Sequence, residues 1–351
     1  MSIPLHVKFR RTIKVYADRV LKYFSPKPSL DYIPRENINN ILLIRINYRI
    51  GNMLFITPML EQLQDEFPDA KIDVLLGAPF TKVLFEGFKN VENIYDFDRK
   101  LLKEPLEAFA YINKLRSKQY DVVFNVNGGS ASDRFATLLA KSTYKVAFCD
   151  DYSYSPVNRC VKREDVHINH EALKPMELLK IFDLKPNYDL KLTLSLSEDE
   201  LKAGKDELNL LLNYDEEKKY FGIFRNARYD KKLDDIFWKN LTDEIEKLDK
   251  NVVFVDILSP DIPKKLNEKM YEYSNKNLRA LASFVANLDA FICADTGPMH
   301  LASASGVPTI ALFQITAPLM YGTLKERDLS LVIKEKTVDE IAKSILEHIK
   351  G

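Results

Sequence analysis

Apolar and polar positions in this chain alternate between short unbroken hydrophobic runs and longer amphipathic stretches. Ile41–Ile46 is one such run and predicts a parallel strand buried on both faces. A polar loop, Asn47–Asn52, leads into a helix over Met53–Phe67 that Pro58 bends or restarts. Pro68, Asp69 and Ala70 then turn the chain into a strand at Lys71–Leu76. The pattern continues with helix Thr81–Phe88, strand Asn93–Phe97, helix Leu102–Lys118 and strand Asp121–Val126. This βαβαβ order predicts an α/β doubly wound parallel sheet.

Residues 184–197 read as a crossing point, broken by Pro186 and Asn187 and extended over Asp189–Ser195. The same style then repeats: helix Glu198–Leu211, strand Tyr220–Arg225, helix Asp235–Leu248 and strand Val252–Asp256. Helices Pro263–Tyr273 and Leu281–Ala286, strand Ala290–Cys293, helix Met299–Ser305, strand Thr309–Phe313 and helix Val338–Ile349 complete it. The expected division is an N-terminal segment 1–34, a Rossmann-like domain 35–186 and a second Rossmann-like domain 187–351 with a closing helix. A length of 351 residues fits two domains. Two such domains facing each other would bind a ligand in a cleft at the carboxyl ends of their strands.

Lys+Arg and Asp+Glu both count 51, so the chain lacks the basic excess of a nucleic-acid binder. No window approaches the ~20 apolar residues of a membrane span, and no secretory leader pattern is present, so a cytoplasmic protein is expected. The charge is uneven, however. Met1–Lys27 holds Lys8, Arg10, Arg11, Lys14, Arg19, Lys22 and Lys27 against Asp18 alone. Phe9, Ile13, Tyr16, Ala17, Val20, Tyr23 and Phe24 recur there at helical spacing. Pro26 and Pro28 end the pattern. Such a helix either lies peripherally on an anionic membrane surface or docks its stripe on the protein's own body. Cys149, Cys160 and Cys293 are odd in number and widely spaced, and read as buried reduced thiols rather than a disulfide framework or zinc site.

Three loops carry candidate chemistry. In AFICADTGPMHLASASGVPTIALF (290–313) a buried strand runs into a helix that Asp295 or Thr296 would cap, with Pro298 in its first turn. A helix start of this kind binds phosphates; Gly297 permits close approach, and His300 lies one turn in. In FGIFRNARYDKKLDDIFWKNL (221–241) a strand enters a polar loop bearing Arg225, Asn226, Arg228, Lys231 and Lys232. A lysine there would neutralise a diphosphate leaving group. In RINYRIGNMLFITP (45–58), Gly51 fits a strand-to-helix turn whose backbone approaches a ligand. None of these is GxGxxG, which disfavours a nicotinamide dehydrogenase. GxxxxGK[ST], HExxH and GxSxG are absent as well.

In this order and spacing the three segments resemble glycosyltransferase family 9, the ADP-heptose:lipopolysaccharide heptosyltransferases, over roughly residues 40–325. The resemblance implies a GT-B fold, two facing Rossmann-like domains with the acceptor on the first and the nucleotide sugar on the second. It implies Asp295, Thr296, Gly297 and His300 as the donor-binding DTG-x-x-H, and Lys231 as the lysine stabilising the departing diphosphate. Asn226 stands where donor-binding hydroxyl residues occur in the family, and Ala227 offers no side-chain hydrogen bond. The acidic residue that holds the nucleotide's ribose has no assigned counterpart around Leu258–Asp261. The catalytic turn departs from the family's Gly-Asp. Here it reads Gly51-Asn52, and an amide accepts no proton from an acceptor hydroxyl.

Asp133, His167 and His170 are alternative bases. Otherwise leaving-group stabilisation carries the rate, or the protein binds a sugar nucleotide without transferring it. No DxD pair occurs at a donor position, so no metal is expected and no cofactor beyond an ADP-sugar or other nucleotide-sugar donor. The expectation is an inverting transfer of a sugar, a heptose by resemblance, to a lipopolysaccharide-core or other lipid-linked acceptor. A silent sugar-nucleotide-binding scaffold at the membrane and a nucleotide-sugar epimerase stand as alternatives.

Overall fold

A computed structural model of the chain describes residue 16 and residues 19–97, 104–126, 130–149, 156–212 and 214–350. The chain divides into two compact units. One runs up to Tyr48 and takes in Pro58–Ile168 and Leu173–Leu190; the other comprises Arg49–Thr57, Asn169–Ala172 and Lys191 onward.

The first unit is a six-stranded sheet: β1 (Asn40–Arg45), β2 (Lys71–Leu76), β3 (Val91–Asp96), β4 (Gln119–Asn125), β5 (Lys141–Cys149) and β6 (Arg159–Lys162). The spatial order is β3-β2-β1-β4-β5-β6 and every pairing is parallel. This is the doubly wound order, with its switch point between β1 and β4. Alternate residues of β1, Leu42 and Ile44, pack with Leu75, Val123 and Ala136 on one face. The hydrophobic run around Pro58 forms two helices, α1 (Ile50–Leu54) and α2 (Thr57–Glu66), because proline cannot donate into a continuous ladder. Helices α2, α3 (Pro105–Arg116) and α4 (Ala131–Leu139) belong to this unit, whereas α1 belongs to the second.

The second sheet contains β7 (Lys219–Phe224), β8 (Val252–Ile257), β9 (Tyr271–Tyr273), β10 (Ala290–Ala294), β11 (Thr309–Phe313) and β12 (Leu329–Val332). Its order, β12-β11-β10-β7-β8-β9, is the same doubly wound permutation read from the other edge. Helices α5 (Glu198–Leu212), α6 (Asp235–Leu248), α7 (Leu278–Val285), α8 (Gly297–Ser305), α9 (Pro318–Tyr321) and α10 (Val338–Lys350) accompany it. On one face Trp238, Leu241 and Ile345 pack against Ile223, Ile292 and Ile310. On the other, Leu208, Phe284 and Met299 cover Phe291, Cys293 and Phe313. Each such large side chain, fully buried, contributes about 1.5–3 kcal/mol.

The structure corrects several expectations. The helix expected at 263–273 is a turn-rich segment ending in β9. Buried Asp256 accepts the Leu266 N–H at 2.8 Å and Arg225 donates to the Lys264 carbonyl at 2.6 Å, taking backbone groups that a helix ladder would need. The helix expected at 81–88 is a 3₁₀ turn, Pro79–Phe85. Cys149 and Cys160 form a disulfide with Cα atoms 5.4 Å apart, contrary to the reduced-thiol reading. Parallel pairing of β5 with β6 sets Ala147 beside Cys160, a proximity that an eleven-residue spacing does not reveal. Cys293 is buried as a free thiol, and burial raises its pKa.

Phe9, Ile13 and Ala17 of the N-terminal pattern lie outside the described residues; residues 19–24 are helical. Leu21 is buried there while Tyr16, Val20, Tyr23 and Phe24 are exposed, the reverse of a stripe docked on the body. Among the described residues no helix is long and apolar enough to cross a membrane.

Candidate functional site

In the second unit the switch point lies between β7 and β10, and the loops leaving these two strands meet. Lys231, in the short turn Tyr229–Lys231 after β7, reaches Asp295, the residue after β10, with Nζ 2.5 Å from Oδ2. The Thr316 hydroxyl, from the loop after β11, donates to the same carboxylate oxygen. Three loops at the carboxyl edge of one sheet thus converge on a single buried carboxylate, the position at which open α/β sheets bind ligands.

Asp295 does not cap α8. Its carboxylate serves Lys231 and Thr316, and the helix begins at Thr296, extended at φ −150°, with no side-chain cap. Of the two expected caps, Thr296 takes the N-cap position but makes no side-chain hydrogen bond there, so the first turn of α8 is left without a side-chain partner where anions bind best. A methyl group on Gly297 would meet only Ile50 Cβ at 3.5 Å and Gly51 N at 3.6 Å, an ordinary contact. Packing alone does not require glycine there.

Gly51 is different. A Cβ at Gly51 would stand 2.5 Å from His300 Cδ2, so the ring occupies the space that only glycine leaves open. His300 is 5% exposed, its Nδ1 has no hydrogen-bond partner among the described residues, and Phe55 meets it edge-on at 4.7 Å between ring centroids. Burial pushes its pKa down to about 3, so the imidazole is neutral. Helix α1, which carries half-buried Asn52, thereby packs against α8 inside one unit.

Asn226 donates from Nδ2 to Ser259 Oγ and to Asp261 Oδ2, both at 3.0 Å. Asp261 is exposed at the tip of a turn closed by the Ser259–Ile262 bridge. Sequence reasoning left this position without an assigned acid; contact with Asn226 singles it out. Thr316 and Phe55 were also missed, although a polar residue just past a strand's carboxyl end is the signal that finds Thr316. Arg225, by contrast, is buried and committed to protein partners. It bonds Asp256 from Nε at 3.0 Å and Asp235 from Nη1 at 2.7 Å. Ala227 is buried, while Arg228 and Lys232 are exposed.

Two of the three alternative bases are buried. Asp133 is fully buried in the first unit and accepts the Ile46 N–H at 2.7 Å. His170 Nδ1 accepts the Ala172 N–H at 3.2 Å, which leaves Nε2 protonated and donating to the Gly322 carbonyl at 2.9 Å. Asp133 is closed off by burial, and both ring nitrogens of His170 are engaged within the protein. His167 is exposed. Among the described residues no group of three or more His, Cys, Asp and Glu side chains forms a metal site.

Comparison with known proteins identifies the family and the fold. The sequence pattern of glycosyltransferase family 9 (heptosyltransferase) matches residues 108–349. Lipopolysaccharide heptosyltransferase 3 of Escherichia coli K12 is 25% identical over 288 residues, covering 76% of this chain and 80% of that protein. In fold, the chain is similar to E. coli heptosyltransferase WaaC with ADP, at a TM-score of 0.72 and 18% identity, over 88% of this chain and 99% of that one. A family 9 glycosyltransferase of Veillonella parvula gives 0.70 at 18% identity, over 92% and 91%. The fold is therefore GT-B, and, with more than half of its length matched by the family pattern, the chain belongs to glycosyltransferase family 9 and is a glycosyltransferase.

Proposed function

We propose that the protein transfers a heptose from a nucleotide-diphosphate donor, ADP-heptose by analogy with its relatives, to a lipopolysaccharide-core or other lipid-linked glycan acceptor, with inversion at the anomeric carbon. The observation that carries this reading is the convergence of Lys231, Asp295 and Thr316 beside the uncapped start of α8. In this reading the diphosphate lies against that helix start and Lys231, and Thr296 and Gly297 line its approach. Lys231 neutralises the negative charge that builds on the leaving diphosphate as the sugar–oxygen bond breaks. Asp295 holds the lysine's ammonium in place until the donor arrives. Neutral His300 offers its imidazole to the donor without adding a second charge. Asn226, Ser259 and Asp261 present hydrogen-bonding groups for the nucleotide's ribose, the exposed Asp261 carboxylate accepting from hydroxyls.

Asn52 stands at the position of the family's base and cannot take the acceptor proton, so in this reading leaving-group stabilisation carries most of the rate and the proton passes to solvent water or to the departing diphosphate as the acceptor oxygen bonds to the anomeric carbon. A lipid-linked acceptor and a nucleotide-sugar donor meet at the cytoplasmic face of the inner membrane, and the protein belongs there. The silent-scaffold and epimerase readings are not favoured, because family membership speaks for transfer.

Thermal shift with ADP and ADP-sugars tests the donor site. A ligand at ~100 times its Kd adds about 2.7 kcal/mol to folding stability. Wild type shifts and Lys231→Ala loses most of the shift; no shift with any nucleotide overturns the reading. Asn52→Asp separates the mechanisms. Introducing a carboxylate raises turnover by ~10²-fold or more if proton removal limits the rate, and leaves it unchanged if departure of the diphosphate does.

A further inference from the structure

We infer that the outward face of the N-terminal arm is a docking surface for an anionic lipid bilayer. Tyr16, Val20, Tyr23 and Phe24 follow at i, i+4, i+7 and i+8, and are 62%, 46%, 85% and 51% exposed. Leu21, off that face, is fully buried and turns inward. The aromatic face is therefore presented to solvent, and a helix serving only to complete the body's core would present the opposite one. Tyr23 and Phe24 pack edge to face at 5.1 Å between centroids, and the Arg19 guanidinium lies 5.7 Å from the Tyr16 ring centroid.

The arm is held by its backbone. Ser25 Oγ donates to the Leu21 carbonyl at 2.6 Å, closing the helix. Ser29 then adds a parallel bridge to the free edge of β6, with its N–H on the Asn158 carbonyl at 3.0 Å and the Cys160 N–H on its own carbonyl at 3.1 Å. Further on, the Ile33 N–H meets the Ile181 carbonyl at 2.7 Å. These bonds tie the arm to the first unit's sheet edge and leave the rings outside.

Charge selects the occupant. In sequence, Met1–Lys27 holds Lys8, Arg10, Arg11, Lys14, Arg19, Lys22 and Lys27 against one acid, Asp18, in a chain that is otherwise net acidic. Tyrosine and phenylalanine on one side of a basic helix suit the headgroup–acyl boundary, where the rings enter the apolar layer and the cations meet lipid phosphates. The inference deepens the transferase reading, whose lipid-linked acceptor it would bring to the enzyme, and rests on that reading only for its purpose.

Flotation of the full chain with vesicles of phosphatidylcholine alone, or with about a quarter phosphatidylglycerol, tests it. Wild type is expected to float only with the anionic vesicles, and to be released as salt is raised. Tyr23→Ser/Phe24→Ser lowers binding ~10-fold or more, with an unchanged melting temperature because both rings are exposed. Arg19→Glu lowers it further. Equal flotation of wild type and the serine variant overturns the inference, as does equal binding to neutral vesicles or binding to neither. Transfer to a water-soluble, deacylated acceptor keeps the two readings apart. The serine variant retains it if only docking is lost, and vesicle binding by a wild type that transfers nothing counts against the transferase reading while supporting the surface.

Discussion

At the scale of single residues, His300 joins helix α1 to helix α8. Its ring fills the space above Gly51, abuts Phe55 and is held neutral by burial with a pKa of about 3. In the unfolded chain the group titrates near 6.5. Its folded pKa is depressed, so the unfolded state binds the extra proton between these values. The associated stability is fully present above about pH 6.5 and is lost as pH falls toward 3, at about 1.4 kcal/mol per pH unit. From pH 7 to 5 this amounts to about 2 kcal/mol. Denaturant unfolding of His300→Gln should lack this loss, and a slope matching wild type would show that another group carries it. The unusual Asn52 has a different status. It is legible in the sequence, yet the packing of its helix α1 against α8 is not, because the two are some 240 residues apart and only the folded unit unites them.

Among the elements, the carboxyl edge of the second sheet is set by a buried charge cluster. Arg225 ties β7 to β8 through Asp256, to the first turn of α6 through Asp235, and to the following segment through the Lys264 carbonyl. Burial raises the Asp256 pKa even though Arg225 opposes that shift, so desolvation outweighs the attraction at this carboxylate. Removing the guanidinium strands Asp256 without its counter-charge. Arg225→Ala should therefore cost ~3–5 kcal/mol in urea unfolding, whereas a loss under 1 kcal/mol would mean that the cluster is dispensable. The same cluster explains why periodicity failed at 263–273. Side chains buried beneath that segment claim its backbone groups, and no local pattern records them. Pro58, whose effect is local, behaved as read.

For the whole molecule, two doubly wound sheets of one permutation were legible as alternating runs, since parallel strands covered on both faces leave a strong apolar signature. Strands β5, β6 and β12 and helices α4 and α9 were not assigned. β5 carries polar residues at Lys141, Ser142, Thr143 and Lys145, and β6 is only four residues long. The compact units also interleave along the chain. A fragment covering residues 187–351 lacks Arg49–Thr57 and Asn169–Ala172, and with them Gly51 and Phe55 against His300 and the bond from His170 to the Gly322 carbonyl. It is expected to melt below the full chain and to bind ADP more weakly; equal melting and affinity would argue that those inserts contribute little.

The sequence by itself determined the alternation of strands and helices, the loops carrying Lys231, Asp295 and His300, and the aromatic and basic character of the arm. These follow from period, turn chemistry and charge, all of them local properties. Only the tertiary structure decided that Asp295 holds Lys231 and Thr316 instead of capping a helix, that Asp261 meets Asn226, that Cys149 and Cys160 are bonded, and that the arm's rings face outward. Each of these depends on which distant strands become neighbours, and a pairing across a sheet leaves no trace in the spacing of residues along the chain.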